Sequence, residues 1–278
     1  PLAPKTMRDE LYLLKSFLRF LEGIEAVAEG SSEKVDIPNL DEGEGVRDTN
    51  LDPDRVETIL KHLDKFEHAS RAHVTWLFFA QVGRRPGGLY ALDLEDVHLD
   101  CEDPYIEFTH RPPETTLKNK SKSEGEVAIF EPFVTILREY IENNRIEVTT
   151  ENGRQPLLTS QVGRLSRTST RRYIYKYSRP CAVGEACPHD RDPESCDAAQ
   201  PGGEPSTCPS SRSPYSLRHG YITAKKDDGV SLRVISERCD TSKSMIEKHY
   251  YEGDAEEKRA RRTKLLKEQQ AGSSGGGY

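Results

Sequence analysis

At 278 residues the chain has room for one large domain, or for one domain and a small companion. A mean hydropathy of −0.75, with no apolar run approaching about 18 residues, excludes a membrane-spanning helix. Charged residues make up 31% of the chain and the net charge is −7, which excludes polyanion binding by the surface as a whole and leaves it to local cationic patches.

The chain begins with Pro1 and shows no signal-peptide pattern, so it reads as a fragment or processed form of a cytosolic protein. Residues 6–27 put Leu11, Leu14, Phe17, Leu18 and Leu21 on one stripe, which predicts a packing helix. Residues 28–54 are acidic, rich in Gly and Ser and aperiodic, and read as a linker. DPDRVETILKHLDKFEHASRAHVTWLFFAQVG predicts two helices, the first capped by Asp52 with Pro53 at its first position, and VTWLFFAQV as a buried segment. Beyond the turn GRRPGG, the β-rich runs PYIEFT and GEVAIF flank a polar stretch and predict a hairpin with a long tip. FEPFVTILREYIENNR predicts a helix, and so does the basic, aromatic TSTRRYIYKYSRP, which ends at Pro180. After a Cys-, Pro- and Gly-rich stretch come YSLRHGYITAKKDDG, SLRVISERCD and SKSMIEKHYYEGDAEEKRARRTKLLKEQQ, three more helices, and a GSSGGG tail expected to be disordered. The fold class is mainly α with a small antiparallel β-sheet (α+β), and no internal repeat is visible.

Four of the six cysteines, Cys181, Cys187, Cys196 and Cys208, fall between positions 181 and 208, with His189 among them. Without secretion signals, such a cluster points to metal before disulfides. Four thiolates suit tetrahedral zinc, and a loop this poor in apolar residues needs a staple. The spacings are not C-x-x-C pairs, so reduced cysteines lining a loop are the alternative, and His189 is a candidate to replace one cysteine. Cys101 and Cys239 stand alone and read as packing residues.

Three basic elements lie far apart: Arg84 and Arg85 at the Gly-Arg-Arg turn, Lys118, Lys120 and Lys122 in the hairpin tip, and Arg218 in YSLRH, followed by Tyr250 and Tyr251. Singly, each has an ordinary reading as a capping arginine, a solvated loop or half-buried tyrosines. Together, over about residues 52–262, they resemble the tyrosine recombinase (phage integrase) family. The wording around the tyrosines and the cysteine-rich insert resembles the integrases of halophilic archaea in particular. VGRRPGGLYALDLEDV matches the family's arginine turn and its L-x-x-x-D segment, which puts Arg85 in the place of the first arginine. LKNK offers Lys118 or Lys120 as the hairpin lysine, with Lys118 favoured because the family's lysine tends to close the first strand. YSLRH stands for H-x-L-R-H and gives Arg218, with His219 as its packed neighbour. Tyr250, 32 residues further on (250 − 218), takes the nucleophile's place in E-x-H-Y, with Tyr251 as its rival. Three positions depart from the pattern: Tyr215 replaces the first histidine of the box, Thr241 the later His or Trp, and Gly88 the acidic residue three after the first arginine.

The resemblance implies a site-specific recombinase that joins DNA through a 3′-phosphotyrosine. Two arginines clamp the non-bridging oxygens and match the charge of the pentacovalent transition state. The tyrosine attacks in line, so the bond is conserved rather than hydrolysed, and the lysine protonates the departing 5′ oxygen. No cofactor is needed for catalysis, and a structural zinc is a candidate. The partners implied are double-stranded DNA and further copies of the chain, as a homotetramer on two DNA sites, with no membrane. Arg84, Lys122, Arg171 and Arg172 are expected on the DNA-facing surface, and a cytosol of molar salt would screen the acidic remainder. Residues 1–51 would then be the end of a core-binding helical region plus an acidic linker. Residues 52–264 would form the catalytic domain, with its insert at about 178–212, and 265–278 a flexible tail. The alternatives are a type IB topoisomerase-like strand nicker, a non-catalytic DNA-binding protein on a decayed recombinase fold, and a zinc-dependent interaction module.

Overall fold

Helix capping explains most of the architecture. The computed structural model describes residues 2–40 and 51–250, with the single positions 259 and 263, and the chain divides into two units, Pro1–Asp48 and Thr49–Tyr278. In the first unit, α1 (Pro4–Gly23) carries the predicted stripe. It stops four residues short of the predicted end because Glu25 takes a left-handed conformation, φ 57°. The Glu22 carboxylate accepts from the amide (2.6 Å) and hydroxyl (3.0 Å) of Ser32 and ties the following turn back to the helix. No residue of α1 is buried, and Leu14 and Phe17 of its stripe are exposed.

In the second unit, α2 (Pro53–Phe66) begins as the sequence predicts, with Asp52 Oδ1 accepting from the Asp54 amide and Pro53 in the first turn. Ser70 caps α3 (Arg71–Gln81), in which every residue from Ala72 to Phe79 is buried. A helix buried on all sides must be the centre of the packing, and α2, α5 (Phe133–Glu139), α6 (Arg167–Tyr177) and α7 (Pro214–Asp227) all lie against it. Trp76, wholly buried, donates from its indole nitrogen to the Tyr173 carbonyl at 3.2 Å.

The hairpin is present as β2 (Tyr105–Phe108) and β3 (Gly125–Ala128), paired antiparallel with Tyr105 opposite Ala128 and Phe108 opposite Gly125. A two-residue strand, β1 (Val97–His98), extends it to three, and β4 (Thr159–Ser160) and β5 (Gly163–Arg164) form a second small ribbon. These strands, and the short α4 (Pro86–Ala91), were not predicted, being too brief to show periodicity. The single helix predicted from FEPFVTILREYIENNR is instead α5 followed by a π turn at Tyr140–Asn144, which leaves Tyr140 fully buried.

The last three helices are α7, capped by Ser213 with Pro214 in its first turn, α8 (Leu232–Cys239) and α9 (Lys243–Tyr250). They enclose a second core of Tyr221, Ile222, Ile235, Cys239 and Ile246. Burial pushes the Cys239 thiol up to about 11, in keeping with the predicted packing role. Cys101 differs from its prediction: it is exposed, its thiol 3.3 Å from the Asp103 carbonyl. No helix among the described residues is long and apolar enough to cross a membrane.

One buried charge network fixes the turn after α4. Asp93, 1% exposed, takes Arg154 (Nε, 2.6 Å) and Arg164 (Nη2, 2.5 Å), while its neighbour Asp96 holds Arg111 with two bonds of 2.8 and 2.6 Å. Removing one member of such a network strands the others, at a cost of about 3–5 kcal/mol. Asp93→Ala is therefore expected to lower unfolding stability by that amount in urea titration. A loss below about 1 kcal/mol would show that the arginines find other partners.

Candidate active site

The site is built on a turn that only glycine can make. Gly83 closes α3 at φ 68°, and a Cβ there would stand 2.3 Å from the ring of Tyr221. The turn sends Arg84 inward and leaves Arg85 at the start of α4. Arg84, 5% exposed, donates to the Ser123 carbonyl at 2.8 Å and lies 4.5 Å from the Phe108 ring centre. Its Nε has no hydrogen-bond partner among the described residues, and burial lowers its pKa. The sequence reading placed Arg84 on an open DNA-facing surface. It is instead an inner lining residue, because Phe108 and the hairpin tip cover it.

The tip itself is docked rather than free. Lys118 stands ten residues past the last residue of β2 (118 − 108), so it belongs to the tip and does not close the first strand as expected. The turn Lys120–Ser123 buries Ser123, whose hydroxyl donates to Asp240 at 2.8 Å, and the Asn119 side chain donates to the same carboxylate at 3.3 Å. Arg85 pairs with that carboxylate as well. Asp240 sits in the turn between α8 and α9 at φ 52°, a conformation that Asp and Asn tolerate better than other non-glycine residues. One carboxylate thus joins the arginine turn, the hairpin tip and the start of α9.

Arg218 lies behind this group. It is 4% exposed, and its Nη1 donates to the carbonyls of Gly83 (2.7 Å) and Cys239, with Nη2 at 3.5 Å from the Asp240 carbonyl. The predicted second clamp therefore braces the two turns that carry Arg85 and Asp240, and it does not line the clefts described next.

Two clefts open on either side of Arg84, Arg85, Lys118 and Asp240, which line both. The larger, about 890 Å³, adds Lys122 and Arg238 but also Glu124, Glu126 and Glu237, so its charges nearly balance. The smaller, about 600 Å³, adds Arg167 and Arg171 with Tyr175 and Tyr215, so five cations face Asp240 as its one carboxylate. An anionic chain is held best by the second. Thr241, Ser242 and Met245, at the turn into α9, line the first.

The structure sorts the remaining candidates. Lys118, Lys122, Arg171, Tyr215 and Thr241 face a cleft, whereas Lys120, at φ 56°, lines neither. Arg172 is turned toward the cysteine-rich segment, donating to the Gly203 carbonyl and lying 3.8 Å from Glu204, so it serves that segment and not the cleft. His219 is half-buried on α7. Tyr250 ends α9, but its side chain, and Tyr251 entirely, lie outside the described residues. Cys181, Cys187, Cys196 and Cys208 are partly buried free thiols in a segment held by Arg179 on the Ala198 carbonyl. His189 is hydrogen-bonded to the Ser210 hydroxyl at 2.8 Å. Three potential metal-ligand atoms come within 4.8 Å of one another elsewhere, at Asp64, His68 and His73.

No family model and no curated protein matches the sequence. Solved structures do. The Tn1549 transposon integrase in complex with transposon right end DNA aligns with a TM-score of 0.64 at 14% identity, over 95% of this chain and 80% of that one. The XerA recombinase gives 0.54 at 14% identity, over 92% and 81%. A lambda integrase dimer bound to a COC' core site gives 0.53 at 13% identity, over 88% and 58%. The fold is that of a tyrosine recombinase catalytic domain.

On this recombinase fold the departure at Gly88 has a packing cause. A Cβ at Gly88 would meet the Phe108 ring at 3.2 Å, so the place of the expected acidic side chain is taken by the ring on which Arg84 lies. The carboxylate beside Arg85 comes instead from Asp240, which sequence reading missed. Its one local signal was its place directly before Thr241 in the segment leading to Tyr250.

Proposed function

We propose that the chain cuts and rejoins double-stranded DNA at specific sites, as a recombinase acting through Tyr250. The Tyr250 oxygen attacks the scissile phosphorus and the bond from phosphorus to the 5′ oxygen breaks. The product is a 3′-phosphotyrosine and a 5′-hydroxyl that takes its proton from Lys118, while the phenol proton passes to water, from which Lys118 is reprotonated. Attack by a 5′-hydroxyl on the phosphotyrosine reverses the step and releases the enzyme. Arg84 and Arg85 stabilise the charge that gathers on the non-bridging oxygens, with Arg218 positioning their turn. The observation that carries this reading is the convergence of the Gly-Arg-Arg turn, Lys118 and Asp240, from segments some 30 to 155 residues apart (118 − 85; 240 − 85), on the wall shared by both clefts, the smaller of which carries the cationic excess. Exchange between two DNA sites would take four copies, in a cytoplasm rich in salt. Among the described residues the insert cysteines and His189 do not bring three ligand atoms within metal-binding reach of one another, so the expected zinc there is not part of this reading.

A second reading, a DNA-binding protein without strand cleavage, is favoured by one feature: the Arg218 guanidinium is engaged by backbone carbonyls and Arg85 by Asp240. Duplexes from the flanks of the protein's own gene, nicked so that cleavage cannot reverse, distinguish the two. The wild type is expected to form a detergent-stable protein–DNA adduct that Tyr250→Phe abolishes and Tyr251→Phe retains. Sequence-specific binding with no adduct would establish the second reading.

A further inference from the structure

The corner where α2, α3 and α5 meet carries a group of side chains that the DNA chemistry does not use. His68 follows the end of α2, four residues after Asp64, and its Nδ1 is 2.8 Å from the Asp64 carboxylate. Its Nε2 is 2.6 Å from Glu139 at the end of α5. From α3, His73 brings a ring nitrogen within 4.8 Å of the ligand atoms of both Asp64 and His68. His73 is 2% exposed, and its buried Nδ1 has no hydrogen-bond partner among the described residues.

An ordinary ion-pair cluster explains His68 between two carboxylates but leaves His73 unexplained. A buried polar nitrogen without a partner is costly, and a second imidazole aimed at a histidine–carboxylate pair gains nothing from a further proton. A metal ion held by the three side chains accounts for their convergence, and for the orphan nitrogen when His73 ligates through Nδ1. We propose that Asp64, His68 and His73 bind a divalent ion of the zinc class, with Glu139 holding the far nitrogen of His68. Two imidazoles and a carboxylate suit zinc, cobalt or nickel rather than calcium or magnesium. The ion would take the place of the proton between His68 Nδ1 and Asp64. Tetrahedral zinc with bonds of about 2.0–2.2 Å sets its ligand atoms about 3.4 Å apart, so His68 Nδ1 and Asp64, 2.8 Å apart here, would separate by about 0.6 Å. Glu139 on Nε2 matches the carboxylate–histidine–metal arrangement that fixes the tautomer of a ligating imidazole. Asp64 and His68 are exposed, which gives the ion a way in, while burial keeps His73 neutral and able to donate its lone pair. The bound ion would cross-link the first two helices of the second unit, independently of whether the protein cleaves DNA.

The cysteine-rich insert is a competing sink for metal, so the test uses cobalt, whose thiolate complexes show sulfur-to-metal charge transfer. Metal-stripped protein of full length is titrated with Co²⁺ and Zn²⁺ as the wild type, as His68→Ala, as Asp64→Asn and as a variant with Cys181→Ser, Cys187→Ser, Cys196→Ser and Cys208→Ser. One equivalent of Co²⁺ without a thiolate band is expected in the wild type and in the serine variant. Its affinity should fall at least about tenfold in His68→Ala and Asp64→Asn, both changes at exposed positions. Zinc should raise the Tm of the serine variant but not that of His68→Ala. Equal Co²⁺ affinity in His68→Ala, binding with a thiolate band alone, or no binding at all would overturn the site.

Discussion

Arg218→Lys is expected to reduce strand cleavage by about a thousandfold and to cost about 3 kcal/mol of stability. The two effects have separate origins. Lysine presents one ammonium on a flexible stem, whereas the buried guanidinium reaches the carbonyls of Gly83 and Cys239 at once. Losing charge-assisted bonds, and leaving a carbonyl unsatisfied in the interior, accounts for the stability term. The catalytic term follows from position: Gly83 begins the turn that aims Arg84 and Arg85, and Cys239 precedes Asp240 in the turn that leads to α9. A bracing role and a direct phosphate contact are separated by Arg218→Ala with guanidinium added. Recovery of cleavage without recovery of Tm would show that the guanidinium meets the phosphate. Recovery of both together would show that it acts through the turns. Cleavage within about tenfold of the wild type in Arg218→Lys would remove Arg218 from the site altogether.

The second large effect concerns Asp240. Its carboxylate occupies the cationic centre that a phosphate must approach, paired with Arg85 and held by Ser123 and Asn119. Near a protein surface, two unit charges about 4 Å apart interact by about 4 kcal/mol, so the carboxylate opposes an incoming phosphate strongly. It also fixes Arg85 in place. Asp240→Asn keeps the left-handed backbone and one acceptor oxygen while removing the charge. DNA binding, measured by fluorescence anisotropy, is therefore expected to tighten roughly tenfold. Cleavage per bound complex should fall by about a hundredfold, because Arg85 loses its orientation. Weaker binding in Asp240→Asn would mean that Asp240 serves only as structural support for the tip.

The features legible in the sequence are those set by neighbouring residues. Asp52 with Pro53 announced a helix start because capping depends on three or four consecutive positions. The strands of the hairpin were visible as short β-rich runs, and Gly83 as the turn before two arginines. What stayed hidden depends on pairing at long range. The partner of Arg85 is 155 positions away at Asp240, and only its place directly before Thr241 separates that aspartate from the many others of an acidic chain. Arg218 was identified by its box, but its engagement by backbone carbonyls leaves no mark in side-chain identity. Arg84 and Arg172 looked alike in sequence as surface cations, and only the structure tells them apart: Phe108 and the hairpin tip make Arg84 an inner lining of the clefts, while the fold of the insert turns Arg172 away from them. The histidine group at Asp64, His68 and His73 was passed over because two helices and a turn are needed to bring it together.

The proposed chemistry forms a covalent link between Tyr250 and DNA. It is tested most directly by trapping the adduct on a nicked duplex, digesting both polymers, and sequencing the nucleotide-bearing peptide by mass spectrometry. The expected product is a 3′-phosphate linked to Tyr250 within SMIEKHYYEGD, formed by the wild type and missing in Arg85→Ala. A nucleotide attached to any residue outside that peptide, or specific binding with no attached nucleotide, would contradict it.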